Sequence, residues 1–536
     1  MCGWLVAGAV LALGVPLFLR MPLWCDATLY AVAARTVSAG GVHYRDVFDT
    51  NPPGFVWMLC AVRGAVGTSD VALRVADLLV VAAVTAGLLW WARGAGASGA
   101  GVAWLAAAVC AFYPFTDEFN HVQRDVWMML PAGVALALRL GRCREEPTTP
   151  SPSQTAKGNG GSGLFEGLFW GLGCWVKPHL LFVAFAAWLA TSRRLSWRDH
   201  GAVFSGGLVA LAAGWGWLVA SGAWPHFLDI WRTWNADYLA TVMRELPFRV
   251  FMQLGYFPLY SVCVLGAVPL AVLNLREGPA DEPTTSRRKA LAAVYLAWLL
   301  TAFILQRPFH YVHVPETLLM LAVFAANRWP VPFALVALQV VTGAWFAVAG
   351  QDLPYARHHA AFDANRSRWW VACLDRDPPR EVRRGVALWA QHFGGIDPME
   401  LGAAADFLRT QNVRDGELIA WHDSPHALYL ELGVKPGFRF MHVGTAAGLG
   451  GWQEERVLRE LREALPHARF VVSDMHRVTE KYGELNDLDA DGLPKVLPAS
   501  QRGEFPWNQP VVFRSPSGRY LVHRIDKPVT SAKIPQ

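Results

Sequence analysis

Between Asp26 and Pro53 the chain reads DATLYAVAARTVSAGGVHYRDVFDTNPP, directly after a first apolar span. Asp26, Tyr30, Tyr44, Arg45, Asp46, Asp49 and Asn51 all fall in this one stretch. A carboxylate at the outer end of a span can take a proton from a nucleophile arriving from outside. Tyr30 stands one helical turn on, so it shares the Asp26 face and can meet the same ligand. Asp26 also suits a plain helix N-cap, so position alone leaves both roles open.

Three further groups could do chemistry. Arg124 and Asp125 head a later span, either as an ion pair that orients the loop or as a contact to an acceptor. Lys177 sits between apolar pieces, where a charge is costly and usually functional, although a boundary lysine can also simply snorkel. Arg307, His310 and Tyr311 lie in QRPFHYVHVP. Arginine grips a phosphodiester with two N–H groups, and an interfacial anchor is the equal alternative. At Asp117-Glu118 a divalent cation could join the site, but a solvated acidic loop explains the pair more simply.

Elements must hold these groups. The chain of 536 residues is 53% hydrophobic and 17% charged, against about 25% charged in soluble domains. The deficit falls in the first two-thirds, so the composition predicts a polytopic α-helical membrane protein with a soluble α/β domain after it. The domains are expected at 1–349, including an outer loop 20–70, and at 350–536. The net charge of +5 is modest. Its Lys and Arg gather in short loops between spans, which argues against nucleic acid and for an anionic cytoplasmic leaflet.

Eleven spans are expected, at about 4–19, 71–92, 99–115, 124–140, 164–176, 178–190, 202–221, 251–275, 290–306, 309–326 and 331–349. The first reads as a retained helix rather than a cleaved signal. Between the first two, Asp26–Ala39 and a segment after Pro52-Pro53 read as short interfacial helices. The segment 141–163 reads as a flexible polar linker. Lys177-Pro178 splits its apolar run in two, and a turn there puts every Arg-rich short loop on one side. The Trp-rich segment 222–250 is expected outside, at the interface. The last third then lies outside too.

That last third predicts helices near 381–394, 400–411 and 452–465, strands at ELIAWH, RFMHVG and ARFVVSDM, and a hairpin over PVVFRSPSGRYLVHRI. Asp487-x-Asp489-x-Asp491-Gly492 matches half of a calcium loop, but Pro498 occupies the closing position, so an acidic turn is expected. His422, Asp423 and His426 lack a convergent third ligand and read as surface residues. Eight cysteines are scattered without a C-x-x-C pair. Only Cys25 and Cys60, flanking the loop, are placed to form a disulfide.

Taken together the motifs resemble the GT-C superfamily of polyprenyl-phosphate-sugar-dependent glycosyltransferases, in the protein O-mannosyltransferase-like and aminoarabinose-transferase-like branch. The resemblance rests on Asp26 after the first span, Tyr30, the G-x-x-Y-x-D stretch Gly41 to Asp46, Pro52-Pro53, Asp125, Gly171-x-Gly173…Lys177-Pro178 and Phe309-His310-Tyr311. It covers the membrane part. It implies an inverting hexosyl- or pentosyltransferase of the cytoplasmic (inner) membrane, acting on its outer side. A sugar would pass from a polyprenyl phosphate to a lipid, glycan or protein acceptor, with Asp26 as general base. Tyr30, Asn51, Lys177, Arg307, His310 and Tyr311 would bind the donor; Tyr44, Asp46, Arg124 and Asp125 would meet the acceptor or orient the loop. Two positions depart from the pattern. Ala27 stands where a second acid is common, and Asn51 where a phosphate-binding lysine is common, so Lys177, Arg45 or Arg307 must supply that charge. A transporter or lipid flippase would instead place ionisable groups near the midplane. A non-catalytic partner protein of the same fold is the other alternative.

Overall fold

The computed structural model describes residues 1–142, 160–192, 195–235, 258–277, 282–307, 309–349, 364–390, 394–441, 443, 453–477, 485, 487–499 and 501–526. The helices of the first part are α1 (Cys2–Arg20), α2 (Cys25–Ser38), α3 (Gly54–Ala65), α4 (Asp70–Gly94), α5 (Gly99–Phe112) and α6 (Met129–Arg142). They continue with α7 (Gly160–Val176), α8 (Leu180–Thr191), α9 (Trp197–Ala220), α10 (Pro258–Arg276), α11 (Pro283–Leu305), α12 (Val314–Ala326) and α13 (Val331–Ala349). Of these, α1, α4, α9 and α11 are long and apolar enough to cross a membrane, and shorter apolar helices accompany them. Local chemistry sets several starts. The Ser69 and Ser98 hydroxyls cap α4 and α5 by accepting from Ala72 and Gly101, and Ser196 forms a capping box with Asp199 on α9.

α7 and α9 show that the chain does turn at Lys177. Gly163 faces Ala202, Gly167 faces Val203 and Gly207, Gly171 faces Ala210, and Gly214 faces Trp175. Both numbers rise together, so the two helices run parallel, and α8 between them must run back. Glycine is required along this seam because the Gly167 and Gly206 backbones touch the opposite helix directly. The Trp175 indole locks the register by donating to the Ala210 carbonyl at 2.9 Å. The linker expected at 141–163 lies mostly outside the described residues, as do residues 236–257.

The last part carries α14 (Pro398–Thr410), α15 (Gln453–Ala464) and a four-stranded sheet of β1 (Leu418–Ala420), β2 (Phe470–Asp474), β3 (Val511–Arg514) and β4 (Tyr520–Arg524). The order is β1-β2-β4-β3, with β1 and β2 parallel and the β3–β4 hairpin antiparallel. Within its core Arg519 donates to Asp474 at 3.0 and 2.9 Å. Burial alone would raise the Asp474 carboxyl, but Arg519 holds it below the usual carboxylate range.

Four expectations need correcting here. The helix predicted to 394 stops at Val386. RFMHVG makes no strand over 439–441; Phe440 instead packs on Phe48 and Trp234, with centroids 4.6 and 5.7 Å away. His426 and Asp423 are buried, not surface residues: His426 bonds the Met441 carbonyl, and the adjoining Ser424 hydroxyl donates to Asp474. Trp234 belongs to the Trp-rich segment expected at the membrane interface, yet it is fully buried between the loop and the last third. The acidic turn is as expected: Asp489 accepts from the Asp491 and Leu493 amides at 3.0 and 2.9 Å. No disulfide joins Cys25 and Cys60.

Candidate functional site

α2 begins at Cys25 with Trp24 in the cap position, so Asp26 is in the first turn and is not the N-cap. A carboxylate there still gains from the helix dipole. Asp26 is half-buried, while Tyr30 one turn on is buried. The Asp26 charge acts on both Tyr30 and Lys177. Burial pushes the Tyr30 phenol well above its ordinary range against the pull of Arg124, so it stays protonated.

The loop after α2 closes on itself. The Asp46 carboxylate accepts from the Val42 amide at 2.8 Å and pairs with Arg45 at 2.6 Å. Burial opposes ionisation of Asp46, but these bonds keep its carboxyl below the usual range. Tyr44 adopts φ 70°, a left-handed conformation that costs a non-glycine residue about 1–3 kcal/mol. Its hydroxyl donates to the Asn51 carbonyl at 2.8 Å, and its ring stacks on His43 at 3.9 Å. The Arg439 guanidinium holds the Tyr44 carbonyl at 3.0 Å, and the Phe48 amide donates to the Arg439 carbonyl at 2.9 Å. Tyr44 and Asp46 therefore shape the loop.

That shape presents Asn51. Its amide nitrogen donates to Asp49 Oδ1 at 2.6 Å and to the Tyr30 hydroxyl at 3.2 Å. α3 then starts at Gly54, which lies directly on the end of α7. A Cβ there would sit 2.5 Å from the Trp175 carbonyl carbon and 2.7 Å from the Val176 nitrogen. The close approach needs glycine. It sets the Asn51-Pro52-Pro53 segment beside Lys177.

Lys177 is at the break between α7 and α8, 8% exposed. Its ammonium donates to both Asp125 oxygens at 2.7 Å and to Gln306 Oε1 at 2.5 Å, with the Tyr311 ring 5.8 Å away. The expected Arg124–Asp125 pair is thus replaced by a Lys177–Asp125 pair. Arg124 opens the one-turn helix Arg124–Trp127 and lays its guanidinium 4.9 Å over the Tyr30 ring. It is 7% exposed, and among the described residues its Nε and Nη1 have no hydrogen-bond acceptor.

His310 Nδ1 stands 3.7 Å from Asp117, and its ring faces Trp389 at 6.0 Å. Arg307 lies at the rim, its guanidinium 5.8 Å from the Phe309 ring. Asp117 and Glu118 are buried, so the solvated-loop expectation fails. Glu118 accepts the Leu388 and Trp389 amides at 3.1 and 2.6 Å and so seats the last third on this end of the bundle. Gln306 escaped sequence reading, and so did the seating role of Glu118, which the sequence reads as part of a solvated acidic loop. Gln306 adjoins Arg307 and could have been noticed; the partners of Glu118 are too distant in sequence to suggest it. Among the described residues no group of three His, Cys, Asp or Glu could hold a metal.

The fold is shared with a solved structure. The crystal structure of ArnT from Cupriavidus metallidurans bound to undecaprenyl phosphate matches over 99% of each chain, at 15% identity and a TM-score of 0.53. Two further likenesses, at TM-scores of 0.48 and 0.47, are to the Archaeoglobus fulgidus oligosaccharyltransferase. They are its apo form and AglB in complex with an inhibitory peptide and a dolichol-phosphate, at 10% and 11% identity over 90% of this chain and 70% of that one. No protein-family model and no curated protein matches the chain. The likeness to ArnT extends over the whole chain and is one of fold.

Proposed function

We propose that the chain is a GT-C glycosyltransferase that moves one sugar from a polyprenyl-phosphate donor to an acceptor on the outer side of the cytoplasmic membrane. The observation that carries this reading is the gathering of Asp26, Tyr30, Asn51, Arg124, Asp125 and Lys177 at one end of an apolar helix bundle. Such a cluster at the bundle end suits a substrate whose tail lies in lipid and whose headgroup does not. The ArnT of like fold was crystallised with undecaprenyl phosphate, which supports that donor class.

In the proposed reaction the Asp26 carboxylate takes the proton of an acceptor hydroxyl. The freed oxygen attacks the anomeric carbon, and the bond from that carbon to the phosphate oxygen breaks. The electron pair leaves on the lipid phosphate. A single displacement inverts the anomeric centre. The Lys177–Asp125–Gln306 triad fixes α7, α11 and the Arg124 turn around the donor. Eleven spans with the last third outside complete the proposed topology.

The test is reconstitution with radiolabelled polyprenyl-phosphate sugars. Wild type should transfer label and D26N should not, while both bind the donor. Equal transfer by D26N removes Asp26 as the base. No transfer by wild type from any such donor favours a transporter or a non-catalytic partner.

A further inference from the structure

The charge that Asn51 withholds is found at an unexpected residue. Of the three cations that could replace a lysine there, Lys177 is neutralised by Asp125 at 2.7 Å, Arg45 by Asp46 at 2.6 Å, and Arg307 lies against Phe309 at the rim. Arg124 differs. Its guanidinium is more than nine-tenths buried, and Nε and Nη1 meet no acceptor among the described residues, although the Asp49 and Asp125 charges act on it from a distance. Buried N–H groups without acceptors are costly. Such a group persists where an anion completes it.

Its place is suitable. Arg124 lies against the face of Tyr30, and Asn51 holds the hydroxyl of the same ring. The guanidinium and the Asn51 amide therefore flank one aromatic side chain, one turn of helix from Asp26. We infer that Arg124 receives the phosphate of the lipid-linked donor, with the Tyr30 hydroxyl, oriented by Asn51, completing its shell. This rests on the donor class proposed above. Lys177 then becomes a positioning residue, holding Asp125 and with it the turn that carries Arg124. A guanidinium suits the task because it stays charged in apolar surroundings and grips a phosphate through several N–H groups.

The experiment measures binding of undecaprenyl phosphate and of neutral undecaprenol to the full chain in nanodiscs. Wild type should prefer the phosphate lipid. R124Q should bind it roughly 10- to 100-fold more weakly and bind undecaprenol as before. R124K keeps the charge and carries the test if R124Q does not fold: it should lose roughly threefold or more for the phosphate lipid alone. Wild-type affinity in the folded variant, or equal loss for both lipids, overturns the assignment to Arg124 and leaves the donor reading standing. A wild type with no preference for the phosphate lipid overturns the donor reading itself.

Discussion

Two buried charge clusters sit at opposite ends of the same helices. At one, Arg139 donates to Glu166 at 2.6 Å and to Thr191 at 2.9 Å, Trp170 donates to Glu166 at 3.2 Å, and Arg142 bridges Glu166 and Asp199. Two arginines meet two carboxylates, and α6, α7, α8 and α9 are clasped together. At the other end, about 20–25 Å along α6, Lys177 pairs with Asp125 while two N–H groups of Arg124 meet no acceptor among the described residues. Matched charges mark a clasp. Under the assignment proposed above, the unmet N–H groups mark the place of a ligand.

Substitutions should separate the two ends. The largest effect is on chemistry: D26N should lower sugar transfer by about 10²- to 10⁴-fold, read by label transfer, with the melting temperature unchanged. Next, E166Q takes the carboxylate from Arg139, leaves Arg142 only Asp199, and should cost about 3–5 kcal/mol of stability. A thermal melt in detergent checks this, and transfer per folded molecule should hold. R124Q should leave the melting temperature unchanged or raise it, because it removes buried N–H groups that meet no acceptor among the described residues. A clear drop would make Arg124 a clasp residue and erase the contrast. The smallest effect belongs to Y30F, which takes the hydroxyl from Asn51. It should cost about 1 kcal/mol, seen as a weaker donor affinity with little change in stability.

Much of this was legible in the sequence. Apolar runs bounded by short Arg-rich loops marked the helices closely, and Pro178 marked the turn at Lys177. The β3–β4 hairpin followed from alternation around a Ser-Gly turn. What escaped was pairing between distant segments. Nothing local to Arg124-Asp125 shows that Asp125 will choose Lys177, 52 residues on, over its own neighbour. The apparent surface histidine at 426 was misread for the same reason, since its partner carbonyl lies on another segment. Strand-like RFMHVG was overridden because Phe440 buries itself against Phe48 and Trp234, with the preceding Phe438 packed on it, rather than joining the sheet.

Glu118 has a consequence for how the molecule is made. Its carboxylate is buried, and its partners at Leu388 and Trp389 lie 270 and 271 residues later in the chain. At about 5–20 residues per second a ribosome needs roughly 15–50 s to reach them. Through that interval the bundle stands with this acid unsatisfied and the site end uncovered. Only a chain whose last third reaches the same side of the membrane can cover it. A last third on the other side of the membrane would therefore leave the buried Glu118 without these two amides.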